Sequence, residues 1–400
     1  TDISNAGTLT ANASTLSVGG VFTNTGTFTR GTGTVNYTGA AQTLAGVQYH
    51  NLTLSGSGTK TLQTGTTSIG GNLALSGTAS TTTVANLTIE GNLLVGDGTN
   101  AATFTAAGFT LGVTGTTTVA NASTLAISSI TGTKTFTGAV TINSGGTLSE
   151  SVAEAITFGS DVTINGTLTE FGAAVISIAG NLTNNGTYTA STGVHTFSGT
   201  SKTIGGTTTN TIPSATFTGT YTNGGTLTCA TALTVTGVTL TNTGTINSAT
   251  SLTGTGTLSN TSGTVNITGG SCSITNNTNA GTFALSGTAT SATVLANFTN
   301  TGTINISGSG FITGITNNAG GVVNHSGSSA ITSFNNATST STLNISTATV
   351  PTISTLTATA VGNTVNYTGA AQTACIVTTY HNLTLSGTLA KTFATPPTIN

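Results

Sequence analysis

The sequence predicts an all-β chain folded as a right-handed parallel β-helix, with about 20 residues and three short strands in each coil. Three observations lead to this prediction. Thr, Gly and Asn dominate the composition, a short motif returns at steps of about 20 residues, and identical strings recur far apart in the chain. A fixed period of this size is the signature of a solenoid, in which each repeat packs only against its neighbours.

The composition favours strands and turns. Of 400 residues, 104 are Thr, 39 Ser, 55 Gly and 37 Asn, while Met and Trp are absent. Thr and Val prefer extended backbone, and we expect Gly and Asn to supply left-handed corners between strands. Only 3% of residues are charged, five are basic, and the formal net charge is −2. This balance excludes the basic patch that nucleic acid or an anionic membrane would require.

A short motif marks the successive coils. Most of its copies consist of Asn, one or two further residues, and then Gly, Thr and an apolar residue. The copies begin at 5, 24, 184, 223, 242, 260, 279, 300 and 317. In strings such as Thr8-Leu9-Thr10, strand alternation directs the apolar side chain inward and the hydroxyls outward. Stacked coils would then share one core, and parallel crossovers favour the right-handed form.

Longer copies connect distant parts of the chain. TVNYTGAAQT occupies 34–43 and 364–373, and YHNLTLSG occupies 49–56 and 380–387. Residues 18–46 align without gaps to residues 178–206, with 11 of 29 positions identical. We therefore expect residues 1–400 to form one continuous β-solenoid, with superrepeat blocks starting near 18, 178 and 348.

The lysines share one local pattern. Each is followed by Thr and an apolar residue, and two glutamines take a similar slot; the residues are Lys60, Lys134, Lys202, Lys391, Gln42 and Gln372. We interpret the lysines as solvated, outward-pointing residues on a strand or edge. The alternative is a repeated cation that binds a glycan or a neighbouring subunit.

The acidic residues are the main test of enzyme function. Cleavage of acidic polysaccharides, an activity of many β-helix proteins, needs clustered carboxylates, often with calcium, and a basic residue. Glu150 and Glu170 are 20 residues apart and could stack on successive coils, where they would repel unless they shared a proton or a cation. We interpret the acids as scattered surface residues, and we predict no enzyme activity, no cofactor and no metal site.

The histidines and cysteines give no ligand pattern. Cys229, Cys272 and Cys375 match no zinc spacing. We expect them to be small buried or half-buried apolar residues, with a bridge between molecules as the alternative. His50 and His381 are copies of one surface or corner position, and the single Gly-Asp-Gly at 96–98 lacks the recurrence of calcium-binding nonapeptides.

Sequons are the candidate modification sites. The chain contains 18 Asn-x-Ser/Thr sites, and composition alone accounts for most of them. A glycan on an outward Asn would hydrate an almost uncharged rod. The candidates are Asn12, Asn36, Asn51, Asn86, Asn121, Asn165, Asn181, Asn185, Asn260, Asn266, Asn276, Asn297, Asn305, Asn324, Asn336, Asn344, Asn366 and Asn382.

Two longer patterns carry a family resemblance. They are [V/I]-x-G-x-[F/L]-x-x-x-G-T at 18–27 and 178–187, looser at 68–78, and G-x-x-[Q/K]-T-[L/I] at 39–44 and 199–204. The chain resembles, over essentially its whole length, the Thr/Gly/Asn-rich β-strand-repeat proteins of prokaryotic cell surfaces, including adhesin-like and autotransporter-passenger-like β-solenoids. The resemblance implies an exported structural or adhesive protein that is often glycosylated. No signal peptide and no apolar run of about 18 residues is visible.

We therefore expect an extracellular structural rod at the cell surface. It would be a filament or surface-fibre subunit that associates with itself end to end or laterally, and glycans are further expected partners. The alternative is an adhesin stalk or passenger domain that binds a glycan or a host surface. An ice-binding solenoid, which requires a column of paired Thr in register on one face, and a polysaccharide-degrading enzyme are minor alternatives.

Overall fold

The computed structural model describes residues 1–248, 251–269, 271–287 and 298–400, apart from the side chain of residue 271. All regular elements in these ranges are β-strands, which pair in parallel with roughly 20 residues per turn. The predicted all-β parallel solenoid architecture is confirmed. The chain divides into two compact units, residues 1–199 with 205–211 and residues 200–204 with 212–400.

The first unit consists of short strands. They are Ile3–Asn5, Thr8–Thr10, Thr15–Val18, Phe22–Asn24, Thr27–Thr29, Thr34–Tyr37, Gln42–Thr43, Asn51–Leu54, Ser57–Thr61, Ser68–Ile69, Leu73–Leu75, Thr78–Thr82, Leu87–Ile89, Leu93–Val95, Thr103–Ala106, Leu111–Val113, Thr117–Val119, Thr124–Ile127, Lys134–Phe136, Val140–Ile142, Thr147–Glu150, Ile156–Phe158, Val162–Ile164, Thr167–Thr169, Ile176–Ile178, Leu182–Asn184, Thr187–Thr189, Val194–Phe197 and Asn210–Thr211.

The second unit contains several longer strands. Its elements are Lys202–Gly205, whose last residue belongs to the first unit, and then Ser214–Phe217, Tyr221–Asn223, Thr226–Cys229, Ala232–Val235, Thr239–Asn242, Thr245–Ser248, Ser251–Asn260, Thr264–Ile267, Ser271–Asn279, Thr282–Leu285, Phe298–Asn300, Thr303–Ile306, Phe311–Asn317, Val322–His325, Ala330–Asn336, Thr342–Ile345, Ile353–Thr357, Thr364–Tyr367, Gln372–Cys375, Thr379–Tyr380, Asn382–Leu385, Lys391–Phe393 and Thr398–Ile399.

Coils of the first unit have the predicted three strands. Within one coil, the strands beginning at Val162, Thr167 and Ile176 each pair in parallel with a strand of the next coil. In the second unit, two of the three strands are joined into one longer strand in several coils, namely Ser251–Asn260, Ser271–Asn279, Phe311–Asn317 and Ala330–Asn336. The pairing of Ser251–Asn260 with the next coil shifts register between Gly254 and Thr257, which is where the strand turns.

Strand alternation builds the core. In strands such as Thr245–Ser248, the first and third residues are half-buried, and the second and fourth are buried. Inward aliphatic and aromatic residues therefore stack on one another from coil to coil, and the rings of Phe136 and Phe158 stack with centroids 5.7 Å apart. Burial of this apolar surface, shared between coils, stabilises an array in which a single coil could not be stable.

The corners differ from the expectation for Asn. Among the described residues, Asn12 is the one Asn with a positive φ; Ala122, Ser201 and Ala374 are the other non-glycine cases. The motif Gly is required for close approach of the coils, since a Cβ on Gly281 would lie 2.2 Å from the carbonyl oxygen of Gly263. The motif Asn instead ends an extended strand and points inward.

Candidate functional site

A ladder of buried asparagines runs through the second unit. We call it the inner Asn ladder, and it consists of Asn223, Asn242, Asn260, Asn279, Asn300, Asn317 and Asn336, each at most 1% exposed. Each Nδ2 donates to Oδ1 of the next member, at 2.8, 2.9, 2.7, 2.8, 2.8 and 3.0 Å in chain order. The Asn of the repeating motif is therefore an interior hydrogen-bonding residue.

The ladder asparagines also hydrogen-bond to backbone carbonyls at the corners between strands. The Nδ2 atom of Asn279 lies 3.2 Å from the carbonyl oxygen of Gly281 in its own coil and 3.1 Å from that of Thr303 in the next coil. Buried carbonyls need such donors, and an apolar side chain could not supply one. Side chains alternate along a strand, so a residue two positions after an inward residue also points inward, as in Leu240-Thr241-Asn242. This alternation is the sequence signal that places these asparagines inside.

A second polar array covers the outside of the same unit. We call it the Asn-Thr face, and it comprises the first and third residues of nine paired strands: Thr226–Cys229, Thr245–Ser248, Thr264–Ile267, Thr282–Leu285, Thr303–Ile306, Val322–His325, Thr342–Ile345, Thr364–Tyr367 and Asn382–Leu385. Its third positions carry Asn247, Asn266, Asn305, Asn324, Asn344 and Asn366, with Thr or Ala at the other three.

The asparagines of this face also form ladders. Nδ2 of Asn324 donates to Oδ1 of Asn305 at 2.9 Å, Asn344 to Asn324 at 2.8 Å, and Asn366 to Asn344 at 2.7 Å. Asn266 donates to Asn247 at 2.8 Å. These outward amides are thus held in one orientation, with half of their hydrogen-bonding capacity left over.

The first unit carries hydroxyl columns in register. One outward column is Thr59, Ser80, Thr103, Thr124, Thr147, Thr167 and Thr187, and its neighbour is Thr82, Thr105, Ala126, Ser149, Thr169 and Thr189. Paired hydroxyls such as Thr167 and Thr169 therefore recur on successive coils. Both outward residues are Thr in three of the six rows that contain two such residues, so the column of paired Thr that the ice-binding alternative requires is present only in part.

The repeated ten-residue string folds around a buried glutamine. Oε1 of Gln42 accepts from the backbone N–H of Gly39 at 2.8 Å and from Nζ of Lys60 at 2.8 Å. Its Nε2 donates to the carbonyls of Val18 and Gly20. Gln42 thus hydrogen-bonds its own corner to the preceding coil and to the following coil.

The second copy repeats three of these four contacts in the second unit, while Nζ of Lys391 donates to the carbonyls of Gly369 and Ala370. Gln372 accepts from Gly369 N at 3.1 Å and donates to the carbonyls of Ile345 and Thr347. Buried tyrosine pairs accompany both copies, with hydroxyl oxygens 2.9 Å apart for Tyr37 and Tyr49 and 3.1 Å apart for Tyr367 and Tyr380. The two copies of the string therefore build a similar buried polar network.

The interpretation of the lysines as solvated is wrong for two of them. Lys60 is 0% and Lys134 1% exposed, while Lys202 and Lys391 are half-buried. Nζ of Lys60 donates to the carbonyl oxygens of Gly39 and Ala40 at 2.5 and 2.6 Å. Burial lowers the pKa of Lys60 and of Lys134. Corner carbonyls, which bind a cation well, replace the lost water.

Three of the acids expected at the surface are buried in the first unit. Glu170 accepts from the Tyr188 hydroxyl at 2.8 Å and from the Ser191 backbone N–H at 2.9 Å, and its Oε2 lies 2.7 Å from Nε2 of His195. The carboxylate and the imidazole are both fully buried. Burial and the Glu170 charge raise the pKa of Tyr188. This cluster is closed to solvent.

Glu150 stacks beside Glu170, an arrangement that the spacing of 20 residues allows, because Ser149 pairs with Thr169 on successive strands. Its two oxygens accept from the backbone N–H groups of Glu154 and Phe171. Burial is the largest cause that raises the pKa of Glu150, from 4.5 to about 7. One oxygen of buried Glu154 has no hydrogen-bond partner in the described structure. Protonation of Glu150 relieves the repulsion between these carboxyls.

The remaining candidate ligands are dispersed. Cys229, Cys272 and Cys375 are free and buried, as predicted, and burial raises the pKa of Cys229 and Cys272 to about 12. His50 and His381 are half-buried. In the described ranges, no group of three or more His, Cys, Asp or Glu residues is placed to hold a metal ion.

The sequons fall into distinct environments. Asn260 and Asn336 belong to the inner Asn ladder, and their Nδ2 atoms, where a glycan would be attached, are bonded inside the fold. The glycan prediction is therefore corrected at these two positions. Asn297 lies outside the described residues. The exposed candidates are Asn12, Asn86, Asn121, Asn165, Asn185, Asn276 and Asn382, and the half-buried ones are Asn36, Asn51, Asn181, Asn266, Asn305, Asn324, Asn344 and Asn366.

Comparison with protein-family models, with curated proteins and with solved structures gives no match for this chain. The part of the chain that the structure describes holds no helix that is long and apolar enough to cross a membrane.

Proposed function

We propose that this chain is an extracellular structural rod, acting as a filament or surface-fibre subunit. The observation that carries the proposal is the inner Asn ladder, which joins seven coils through side-chain hydrogen bonds in one direction. A side-chain ladder along the stacking axis adds to the contacts between neighbouring coils, on which the stability of a solenoid depends.

The other buried polar side chains support the same role. Gln42 and Lys60 bridge neighbouring coils through backbone carbonyls, and Glu170 bridges to the next coil through Ser191 and His195. These residue types serve in catalysis when they line a cleft, but here their polar atoms are engaged inside the stack. A non-enzymatic structural role uses these contacts directly.

Localisation tests the proposal. Antibodies raised against the purified chain, applied to source cells for immunogold electron microscopy, are expected to label thin fibres or a surface layer outside the envelope. Label confined to the cell interior contradicts the proposal. Saturable binding of the chain to a glycan or host surface, without fibres, favours the adhesin alternative instead.

A second candidate function rests on the hydroxyl columns of the first unit. Rows of paired Thr, such as Thr167 with Thr169 and Thr187 with Thr189, repeat at about 4.8 Å from coil to coil. A rigid hydroxyl array of this kind can order water at its surface. Faceted ice growth in the presence of the chain, abolished by Thr167→Lys with Thr187→Lys, would support it; unfaceted growth would contradict it.

A further inference from the structure

We propose that the Asn-Thr face is the lateral contact through which two copies of this chain associate. The inference rests on the proposed structural role and assigns its self-association to one surface. Two columns of small polar side chains make up the face, with Val322 and Ala284 as its apolar members, and none of its outward positions carries a charge.

The absence of charge extends well beyond this face. Residues 203–390 contain no Asp, Glu, Lys or Arg. Soluble proteins use charged side chains, lysine above all, to keep exposed strand surfaces from pairing with one another. Nothing of this kind opposes contact between two Asn-Thr faces, so their approach carries no Coulombic penalty.

The hydrogen-bonding capacity of the face favours a copy of itself. In the ladder, Nδ2 of Asn324 uses one N–H on Asn305, and Oδ1 of Asn324 accepts once from Asn344. One N–H and one lone pair remain on Asn324 and on Asn344, which lie about 4.8 Å apart on successive coils. A second copy presents the same groups at the same repeat, so its amides and hydroxyls fall into register along the whole face. In cross-β assemblies, identical side chains of paired sheets form closely packed interfaces, and Asn ladders add to their stability.

The size of the face suits a weak but specific contact. Nine strands of four residues cover about 38 Å by about 13 Å, so two faces would bury about 1,000 Å² in total. This area lies at the lower limit for specific protein interfaces. The amides already hold one orientation in the ladder, so association immobilises few additional side chains.

Attached glycans and lateral contact exclude each other here. Asn266, Asn324, Asn344 and Asn366 lie in sequons, yet their Nδ2 atoms are ladder donors. A glycan on Nδ2 would break the ladder and hold a neighbouring copy away. Asn305 and Asn382 are the other sequons on this face, so the proposal requires all six positions to be unmodified in the native protein.

Sedimentation of the full chain tests the proposal. We expect the wild-type chain to associate as its concentration rises, equally at low and high NaCl, because no charges lie at the contact. Asn324→Lys with Asn344→Lys should weaken association at least tenfold, since like charges then face each other. The matched control, Thr222→Lys with Thr241→Lys, adds the same charge to another face of the same unit and should leave association unchanged.

A milder pair keeps the test valid if the lysine variant is poorly folded. The pair Asn324→Thr with Asn344→Thr introduces Thr, a residue type that already occurs in the same column at Thr228. This variant should weaken association severalfold without changing the circular dichroism spectrum. A wild-type chain that stays monomeric overturns the proposal. Equal weakening of association by the control pair also overturns it. So do fibres that lengthen under the electron microscope without associating side by side, and a glycan on Asn324 or Asn344 in native material. None of these outcomes affects the test of localisation.

Discussion

Replacement of Asn279 by Asp is expected to lower the free energy of unfolding by at least about 3 kcal/mol near neutral pH. In the wild-type chain, Nδ2 of Asn279 faces Oδ1 of Asn300 and the carbonyls of Gly281 and Thr303. A carboxylate at this position would place an oxygen next to these three acceptor oxygens, which repel it, and would leave the buried acceptors without a donor. Chemical denaturation followed by far-ultraviolet circular dichroism measures the change.

Asn266→Asp is the matched control. Asn266 makes the same Nδ2-to-Oδ1 bond, to Asn247 at 2.8 Å, but on the half-buried outer face, where water can hydrate a carboxylate. We expect a loss of about 1 kcal/mol or less. Equal losses at the two positions would show that the inner Asn ladder contributes no more than an ordinary surface contact.

Raising the pH from 5 to 8 is expected to lower the stability of the wild-type chain by about 2 kcal/mol through Glu150. Burial, with smaller contributions from the charges of Glu170 and Glu154, raises the pKa of this carboxyl from 4.5 to about 7. The folded chain therefore holds the proton more tightly than the unfolded chain. The resulting stabilisation is complete below about pH 4.5 and is lost as the pH rises through about 7.

Glu150→Gln should remove most of this dependence. The amide cannot ionise, although its nitrogen will face a backbone N–H of Glu154 or Phe171 and so lower stability somewhat at pH 5. Glu90→Gln, at an exposed position of the same unit, should keep the wild-type slope. Denaturation curves of the three proteins at pH 5 and pH 8 measure this pH dependence of stability. An unchanged pH dependence in Glu150→Gln would show that a group other than Glu150 causes it.

Sequence periodicity predicted the parts of the structure that depend on repetition. A step of about 20 residues implies that residue i and its counterpart one coil later are neighbours. The spacing of 20 residues identified Glu150 and Glu170 as residues that could stack, and the repeated ten-residue string identified Gln42 and Gln372 as equivalent. Regular solenoids are predictable in this respect because their long-range contacts repeat.

The direction of polar side chains was predicted less well, although the signal was present. Lys134 lies two residues before inward Phe136, so strand alternation places it inside, as the structure does. Average residue preferences, by which lysine is almost never buried, outweighed alternation in that interpretation. They failed because corner carbonyls of the solenoid offer a cation partners that a single sequence does not reveal.

A distance measurement within the second unit tests the central claim, the parallel stacking of coils in register, most directly. With the three cysteines replaced, nitroxide labels at Thr226 and Thr303 are four coils apart, and labels at Thr226 and Thr364 are seven coils apart. Pulsed electron resonance should give backbone separations of about 19 and about 34 Å, rising linearly with coil number. Separations that do not increase with coil number would contradict the stacked solenoid.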